Sequence, residues 1–519
     1  MKARLTAAIA AAAMAIPIAA ASAAPALAAP ARVLLTLQVT DRAGHRVAPT
    51  DAQVMSVATG TNIDLGSGTH RLLVPGRYNV AAWIPTGTGP NPSLTLADQV
   101  INLTRNTTLV LDARQGRKVR LILDDPAAQA EALEITPIVN GGEAFNPTTV
   151  FPPVGQTYVI PVSSRLMTLY VYSVWEKKGN TLASPSPFRY DIIRAFRGGI
   201  PRSPVIVTRR TQLARIDVTV RKTAANEQAT LDLQPTPASG PLSLNMDAET
   251  TLGATPARLT SFRTPGFIWL PLVTWQTPTG SFRDFDVNQG PYGPGRFSEL
   301  WGAAVLALAQ DCAFGDLQGR SLVIGITGSC IPIGDPLHNS DEQSGGSQLF
   351  RLFLGSRLLG HTTNNQMNVR IPAGTHSYRL SLNAARAPGA LVSTRVSGVW
   401  RFNATGTANS EASMQLFTFQ LVPAGLNARN QAVAGSVTQV PLRIFDALDN
   451  PVTLPAVHVW ASSNDGRTWR PVTVRLAGGH FLISVRNATT PGFTSLRVLA
   501  GDRHGNSEQL TVIRAWAVR

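Results

Sequence analysis

Two cysteines, Cys312 and Cys330, are the only thiols in the 519-residue chain. They are too few for a four-cysteine zinc site or for an iron–sulfur cluster held by four thiolates, so neither centre is predicted. The residues between them read as a hairpin, and no nearby histidine marks either one as a catalytic thiol. In an exported chain, we predict a structural Cys312–Cys330 disulfide, which requires Cα atoms within about 7 Å.

Asp284, Asp286 and Asn288 place oxygen atoms at alternate positions, as at the start of a calcium-binding loop. However, Gly290 comes one position late, and Gly295 stands where the loop should close on glutamate. An EF-hand is therefore excluded, and a weak calcium site at these residues and a polar turn both stay open. The eight histidines do not fall at metal-ligand spacing, so no metal ligand and no cofactor are assigned.

The motifs of the common secreted hydrolases are missing. The sequence has no G-x-S-x-G elbow, no H-E-x-x-H zinc helix, no P-loop and none of the three motifs of a subtilisin-like triad. Ser344 follows Gln343 and precedes two glycines, but this segment reads as a flexible acidic loop. These absences weigh against an enzyme, while a hydrolase with a site dispersed over loops stays open as an alternative.

The N-terminus has the pattern of a secretory signal peptide. Lys2 and Arg4 precede an apolar run over 5–21, and small residues follow, which predicts removal of residues 1–28 by cleavage near Ala23 or Ala28. Pro17 interrupts the run, which argues against a membrane anchor. No later apolar stretch is long enough to cross a membrane, so we predict a secreted, extracellular protein without a stable membrane anchor.

The chain is strongly basic, with a net charge of +15 that becomes +13 when Lys2 and Arg4 leave with the signal peptide. The basic residues are dispersed along the chain and are not interleaved with aromatic residues, so no nucleic-acid partner is predicted. Attraction to an anionic cell wall is compatible with export, but it would be non-specific. We predict an extracellular protein or a cell-wall component as the partner, and the oligomeric state stays open.

The composition is that of a chain that buries cores, with 44% hydrophobic and 15% charged residues. Apolar and polar residues alternate over 35–40, 215–221, 414–422 and 480–486, which predicts strands bounded by turns. Helical periodicity is confined to 299–310. The sequence therefore predicts an all-β protein of tandem β-sandwich domains, Ig-like or carboxypeptidase-regulatory-like, with one short helix near 299–310.

Turn clusters and composition shifts divide the chain into domains. After the signal peptide, the predicted order is a β-sandwich at 29–114, a second at 115–222, a β-rich domain with the short helix at 223–310, a sandwich with the disulfide at 311–403, a linker at 404–412 and an Ig-like domain at 413–519. The linker prediction rests on a run of small and polar residues that can bury little surface.

The segment Ser462, Asn464, Gly466, Thr468 and Trp469 resembles the Asp-box hairpin, with Asn464 in place of the aspartate. In such a turn the side-chain oxygens accept hydrogen bonds from nearby backbone N–H groups, and the glycine takes a positive φ. The tryptophan covers the hairpin. We therefore assign these residues a structural role and no catalytic one.

Several further short motifs are similar to non-catalytic β-domains of large secreted subtilisin-like peptidases of actinobacterial type. They are Pro75 to Tyr78, Leu111 to Arg114, Gly293 to Arg296, Glu299 to Trp301, Ser393 to Phe402, and a last hairpin with Asp502, Gly505 and Asn506. The peptidase domain itself has no counterpart in the chain. The resemblance implies an extracellular accessory protein without proteolytic activity.

The resulting expectation is a secreted, non-catalytic, multidomain β-protein that binds an extracellular protein or the cell envelope and is accessory to a secreted peptidase. The alternatives are the dispersed hydrolase and an array of carbohydrate-binding modules. The second alternative needs exposed tryptophans, whereas Trp83, Trp175, Trp400 and Trp460 lie in apolar strands and are predicted to pack in cores.

Overall fold

The computed structural model describes residues 31–89, 91–139, 152–237, 249–286, 290–308, 313–326 and 333–519. Strands dominate these residues, and two single-turn 3-10 helices, Ala113–Gln115 and Arg210–Gln212, occur beside them. The prediction of an all-β fold is confirmed. None of the helices in the described part of the chain is long and apolar enough to cross a membrane.

The strands are numbered in chain order. The first ten are β1 Val33–Thr40, β2 Asp51–Ser56, β3 Asn62–Asp64, β4 His70–Leu73, β5 Gly76–Thr86, β6 Ser93–Leu103, β7 Thr107–Asp112, β8 Arg117–Lys118, β9 Arg120–Leu123 and β10 Ala128–Val139. The next eleven are β11 Thr157–Val159, β12 Val162–Lys177, β13 Phe188–Ile200, β14 Val205–Thr208, β15 Ala214–Val220, β16 Gln228–Pro237, β17 Thr250–Ala254, β18 Ala257–Arg263, β19 Phe267–Thr277, β20 Gly280–Phe285 and β21 Gly295–Trp301.

The second half of the chain continues in the same way. Its strands are β22 Ala313–Gln318, β23 Ser321–Ile326, β24 Asn339–Gln343, β25 Ser347–Leu354, β26 Arg357–Thr362, β27 Gln366–Arg370, β28 Gly374–Ala385, β29 Arg395–Gly406, β30 Glu411–Ser413 and β31 Thr418–Leu421. The last nine are β32 Gln431–Ala432, β33 Val437–Phe445, β34 Pro451–Val452, β35 Ala456–Ser462, β36 Arg470–Pro471, β37 Thr473–Ala477, β38 His480–Arg486, β39 Gly492–Gly501 and β40 Ser507–Val518.

Three sheets run across the limits predicted between domains. One has the order β3-β2-β5-β6-β11-β8, the next has the order β10-β12-β13-β18-β15-β21, and a nine-stranded sheet joins β26-β25-β28-β29 to β40-β39-β35-β36. The linking pairs are β6 with β11 and β13 with β18, which are parallel, and β29 with β40, which is antiparallel. Neighbouring sandwiches therefore share backbone hydrogen bonds. The predicted domain limits stay predictions.

Alternation along the strands buries one face of each sheet. In β15 every second residue is buried, and in β29 the alternation extends over nearly the whole strand. Tyr78, two residues after Gly76 of β5, and Tyr378, four residues after Gly374 of β28, are both buried. The Tyr78 hydroxyl donates a hydrogen bond to the Val74 carbonyl oxygen at 2.7 Å, which ties the turn to the strand.

The helix predicted at 299–310 is wrong where the structure describes it. Residues 299–301 end β21, which pairs in parallel with β15, and residues 302–308 are irregular and largely buried. Glu299 accepts hydrogen bonds from the buried Arg263 guanidinium at 2.6 and 2.8 Å, and this ion pair holds the strand conformation. Tertiary contacts thus override the helical propensity of an alanine- and leucine-rich segment.

The segment predicted as the linker 404–412 contains secondary structure at both ends. Residues 404–406 complete β29, with Ala404 buried, and Glu411 begins β30, which pairs with β22. Between them, the Thr407 N–H donates to the Ser410 hydroxyl at 3.0 Å, which closes a turn.

Candidate binding cleft

Among the described residues, strand β13 has a strand partner on both sides only near its start. It pairs with β12 along most of its length, but its parallel pairing with β18 extends only from Phe188 to Asp191. Beyond this point, the Thr264 N–H donates to the Asp191 carbonyl oxygen at 3.0 Å, and the Ile193 N–H donates to the Thr264 hydroxyl at 2.9 Å. Because backbone groups alternate along a strand, the Ala195 N–H and C=O point toward the same, open side.

A buried polar cluster fixes the place where β18 leaves β13. Arg189 donates to Asp191 at 2.8 Å, to the Leu231 carbonyl oxygen at 3.1 Å and to the Thr250 hydroxyl at 2.9 Å. The Tyr172 hydroxyl donates to Asp191 at 2.6 Å, and burial raises the pKa of Tyr172 well above its ordinary value, so the donor keeps its proton. The cluster therefore holds β12, β13, β16 and β17 in one arrangement.

Strand β14 presents a second open edge nearby. Among the described strands, it pairs only with β9, and the carbonyl oxygens of Pro204 and Thr208 accept hydrogen bonds from the Arg120 and Asp124 N–H groups. By alternation, the N–H and C=O of Val207 point away from β9. The Val207 side chain is 63% exposed and that of its cross-strand partner Ile122 is 42% exposed.

A groove of about 430 Å³ lies between these two edges. Its walls are residues 192–194 of β13 and residues 205–208 of β14, and Gln212, Leu213, Thr264 and Pro265 complete the lining. Ile192, Ile206 and Leu213 are buried, so the floor is apolar, while the walls carry open backbone groups. We call this the strand-edge groove.

A second open groove of about 510 Å³ begins on the other side of Arg194. Residues 161–163 and 194–202 line it, and we call it the arginine groove. Its shape depends on Gly198 and Gly199, whose φ angles of 88° and 113° favour glycine. A Cβ at Gly199 would lie 2.1 Å from the Val162 carbonyl oxygen, because a β-bulge pairs Gly199 with both Ser163 and Thr168.

The two grooves share Arg194 and form one cleft with a positive rim. Arg194, Arg197 and Arg202 line the arginine groove and are exposed. Among the described residues, no carboxylate lines either groove, and none of the three arginines takes part in an ion pair. The Arg194 guanidinium lies 5.9 Å from the centroid of the Phe196 ring. Such a cleft suits an anionic ligand with apolar groups.

The five residues of the Asp-box-like hairpin lie together in one turn between β35 and β36. The side-chain amide oxygen of Asn464 (Oδ1) accepts hydrogen bonds from the Thr468 N–H at 3.0 Å and from the Ser462 hydroxyl at 2.8 Å. Gly466 has a φ of 82°, and the Trp469 ring packs against it. The Arg497 guanidinium lies 4.3 Å above the Trp469 ring. The turn is far from the cleft in the chain and lines neither groove.

Other predicted site residues are not brought together by the described structure. Cys312, Cys330 and Asn288 lie outside the described residues, so the disulfide stays a prediction. Asp284 is fully buried in β20, and Asp286 follows that strand. Within the described ranges, no group of three His, Cys, Asp or Glu side chains could hold a metal ion.

The tryptophans do not form an exposed platform. Trp83 and Trp400 are buried as predicted, and Trp175, Trp460 and Trp469 are half-buried. His338 stacks on Trp301 with ring centroids 3.7 Å apart and forms an ion pair with Asp335 at 3.4 Å. All three residues are buried, and none lines the cleft.

The cleft was not among the sites predicted from the sequence. A signal for it is present in Arg194-Ala-Phe-Arg197-Gly-Gly-Ile-Pro-Arg202, where three arginines surround two consecutive glycines. The open strand edges have no local signal, because they depend on where distant strands stop pairing.

No protein-family model matches the chain, and no curated protein matches it. Solved structures to which the chain is similar include a mutated variant of titin domains I67–I69, at 8% identity over 60% of this chain and 97% of that one, with a TM-score of 0.13. Others are the chicken CNTN1 FN1–FN3 domains (10% identity, 56% and 96% covered, TM-score 0.14) and Escherichia coli alpha-2-macroglobulin (12%, 94% and 53%, 0.15). Such low TM-scores carry no information on function.

Proposed function

We propose that this protein is a secreted, non-catalytic binding protein that holds an anionic partner in the cleft formed by the arginine groove and the strand-edge groove. The observation that carries the proposal is the set of three exposed arginines around an open groove whose described lining has no carboxylate. Arginine binds carboxylates and other oxyanions through paired N–H donors, so the rim can orient a ligand as well as attract it.

The construction of the cleft supports binding by a preformed surface. The buried Arg189 and Asp191 cluster and the bulge at Gly199 fix the β13 side of both grooves, so little ordering of this side has to accompany binding. Sheets continuous between neighbouring sandwiches hold the cleft in place relative to the rest of the chain. The N-terminal signal pattern and the short motifs that resemble peptidase-associated β-domains support an extracellular partner, either a secreted peptidase or the cell envelope.

Poly-L-glutamate tests the proposal as a simple anionic polypeptide. Binding is measured by biolayer interferometry at about 0.15 M salt, where long-range charge effects are screened. We expect the triple variant Arg194→Gln, Arg197→Gln and Arg202→Gln to bind at least about tenfold more weakly than the wild type.

A matched control separates the cleft from the net charge. Arg105, Arg357 and Arg503 are exposed and line neither groove, and their replacement by Gln removes the same charge. The control variant should bind like the wild type. An equal loss in both triple variants, or no loss in either, would overturn the proposal.

A further inference from the structure

We infer that the occupant of the cleft is an extended, acidic peptide segment of a partner protein, which adds as a strand to the open edge of β13 or β14. This inference rests on the proposed function and names the class of ligand. It excludes an anionic polysaccharide, which cannot supply a ladder of backbone N–H and C=O groups.

The backbone geometry of the cleft favours addition of a strand. By the alternation that their hydrogen-bonded neighbours define, Val207 directs an N–H and a C=O away from β9 in the strand-edge groove. Ala195, which lines the arginine groove next to Arg194, directs an N–H and a C=O toward the open side of β13. An open strand edge of this kind is a template for pairing with another chain. Residues 192–194 and 205–208 of the walls contain no proline.

The side chains that line the cleft indicate the composition of the peptide. A strand directs alternate side chains to opposite faces, so a segment in this groove presents one set to the apolar floor at Ile192, Ile206 and Leu213. The other set faces outward, toward the rim where Arg194 stands between the two grooves. The matching sequence alternates apolar and acidic residues, which commits the occupant to an acidic β-strand segment.

A peptide of about ten residues that alternates Glu and Val is the test ligand. The protein variants Ala195→Pro and Val207→Pro each remove one N–H that faces the cleft and that has no strand partner among the described residues. We expect at least one of them to weaken binding of this peptide by about tenfold or more. Val207→Thr keeps the N–H and should bind like the wild type.

A second measurement does not depend on any variant folding correctly. The same peptide with N-methyl groups at alternate positions keeps its charge but loses the donors on one edge, and it should bind the wild-type protein about tenfold more weakly. Heparin serves as a polyanion without a peptide backbone and should not compete at equal charge concentration.

The outcomes separate this inference from the proposed function. If the triple arginine variant loses binding while both proline variants and the N-methylated peptide bind normally, the anionic cleft stands and strand addition is overturned. If heparin competes as well as the peptide, the ligand class is wrong. If the arginine variant binds normally, the proposed function itself falls.

Discussion

The Ile193 N–H donates a hydrogen bond to the Thr264 hydroxyl at 2.9 Å. In return, the Thr264 N–H donates to the carbonyl oxygen of Asp191, which lies two residues before Ile193 on β13. Thr264 follows directly after the end of β18, so it closes the parallel pairing of β13 and β18. Among the described residues, the edge of β13 after Ile193 has no strand partner on this side. The open wall of the cleft therefore begins at a defined residue.

Gly199→Ala should destabilise the protein more than Gly198→Ala. Both glycines have positive φ, which costs an alanine about 1 kcal/mol, but only position 199 also places a Cβ 2.1 Å from the Val162 carbonyl oxygen. No atom lies within 4 Å of a Cβ at position 198. Thermal unfolding of the two variants checks this, and equal shifts in Tm would contradict the account of the bulge.

Asn430→Gly should lower the free energy of unfolding by at least about 3 kcal/mol. The buried Asn430 side chain donates to the Lys222 and Gly302 carbonyl oxygens at 3.1 and 2.9 Å and accepts from the Ala304 N–H at 3.1 Å. Glycine adopts its φ of 55° without strain, so the loss reports the contacts of the side chain and not backbone strain.

The exposed Asn226 is the control for this change, because its φ is 51° and it lies at the surface. Asn226→Gly should leave the midpoint of denaturant unfolding nearly unchanged. If the two variants unfold at the same denaturant concentration, Asn430 does not hold the junction between β15, β21 and the C-terminal sandwich.

Asp98→Asn should stabilise the protein increasingly as the pH rises. Burial raises the pKa of Asp98 to about 8, although the neighbouring Asn79 side chain opposes the rise. The folded state thus retains a proton that the unfolded chain releases near its ordinary pKa of 3.8. Between these two pKa values, this group lowers the free energy of unfolding of the wild type by about 1.4 kcal/mol for each pH unit that the pH rises.

The difference in Tm between Asp98→Asn and the wild type, measured at several pH values, should therefore be small near pH 4, grow up to about pH 8 and then level off. Glu411→Gln, at an exposed acid, should show no such trend. A difference that does not change with pH would contradict the assignment of a buried, proton-retaining carboxyl group.

Asn464→Asp should leave the hairpin intact, whereas Asn464→Ala should cost about 1 to 2 kcal/mol. A carboxylate still accepts from the Thr468 N–H and the Ser462 hydroxyl, whereas alanine leaves both donors without their partner. Limited proteolysis of the turn compares the variants. Equal cleavage rates for alanine and aspartate would show that the side-chain oxygen does not stabilise the turn.

Local patterns predicted the strands but not their long-range partners. The strand expected at 480–486 is found with those bounds, and the one expected at 215–221 is found at 214–220. Of the segment 414–422, only 418–421 is a strand. The pattern at 299–310 indicated a helix, because the local sequence does not reveal that Glu299 forms an ion pair with Arg263 of another strand.

The cleft lies beyond local patterns for the same reason. Its edge exists because β18 stops pairing at Arg263. Its second wall is open because β14, within the described part of the chain, pairs only with β9, more than eighty positions away in the sequence. Only the arginines and glycines at 194–202 leave a mark in the sequence.

Amide hydrogen exchange at single-residue resolution tests the central claim most directly, with the alternating Glu and Val peptide as ligand. In the free protein the Val207 and Ala195 amides should exchange fast, while the Ile206 amide, which faces β9, is already protected. The account predicts that saturating peptide slows exchange at Ala195 or Val207 by at least about tenfold and leaves Ile206 unchanged. Unchanged exchange at both Ala195 and Val207 in the bound state would contradict it.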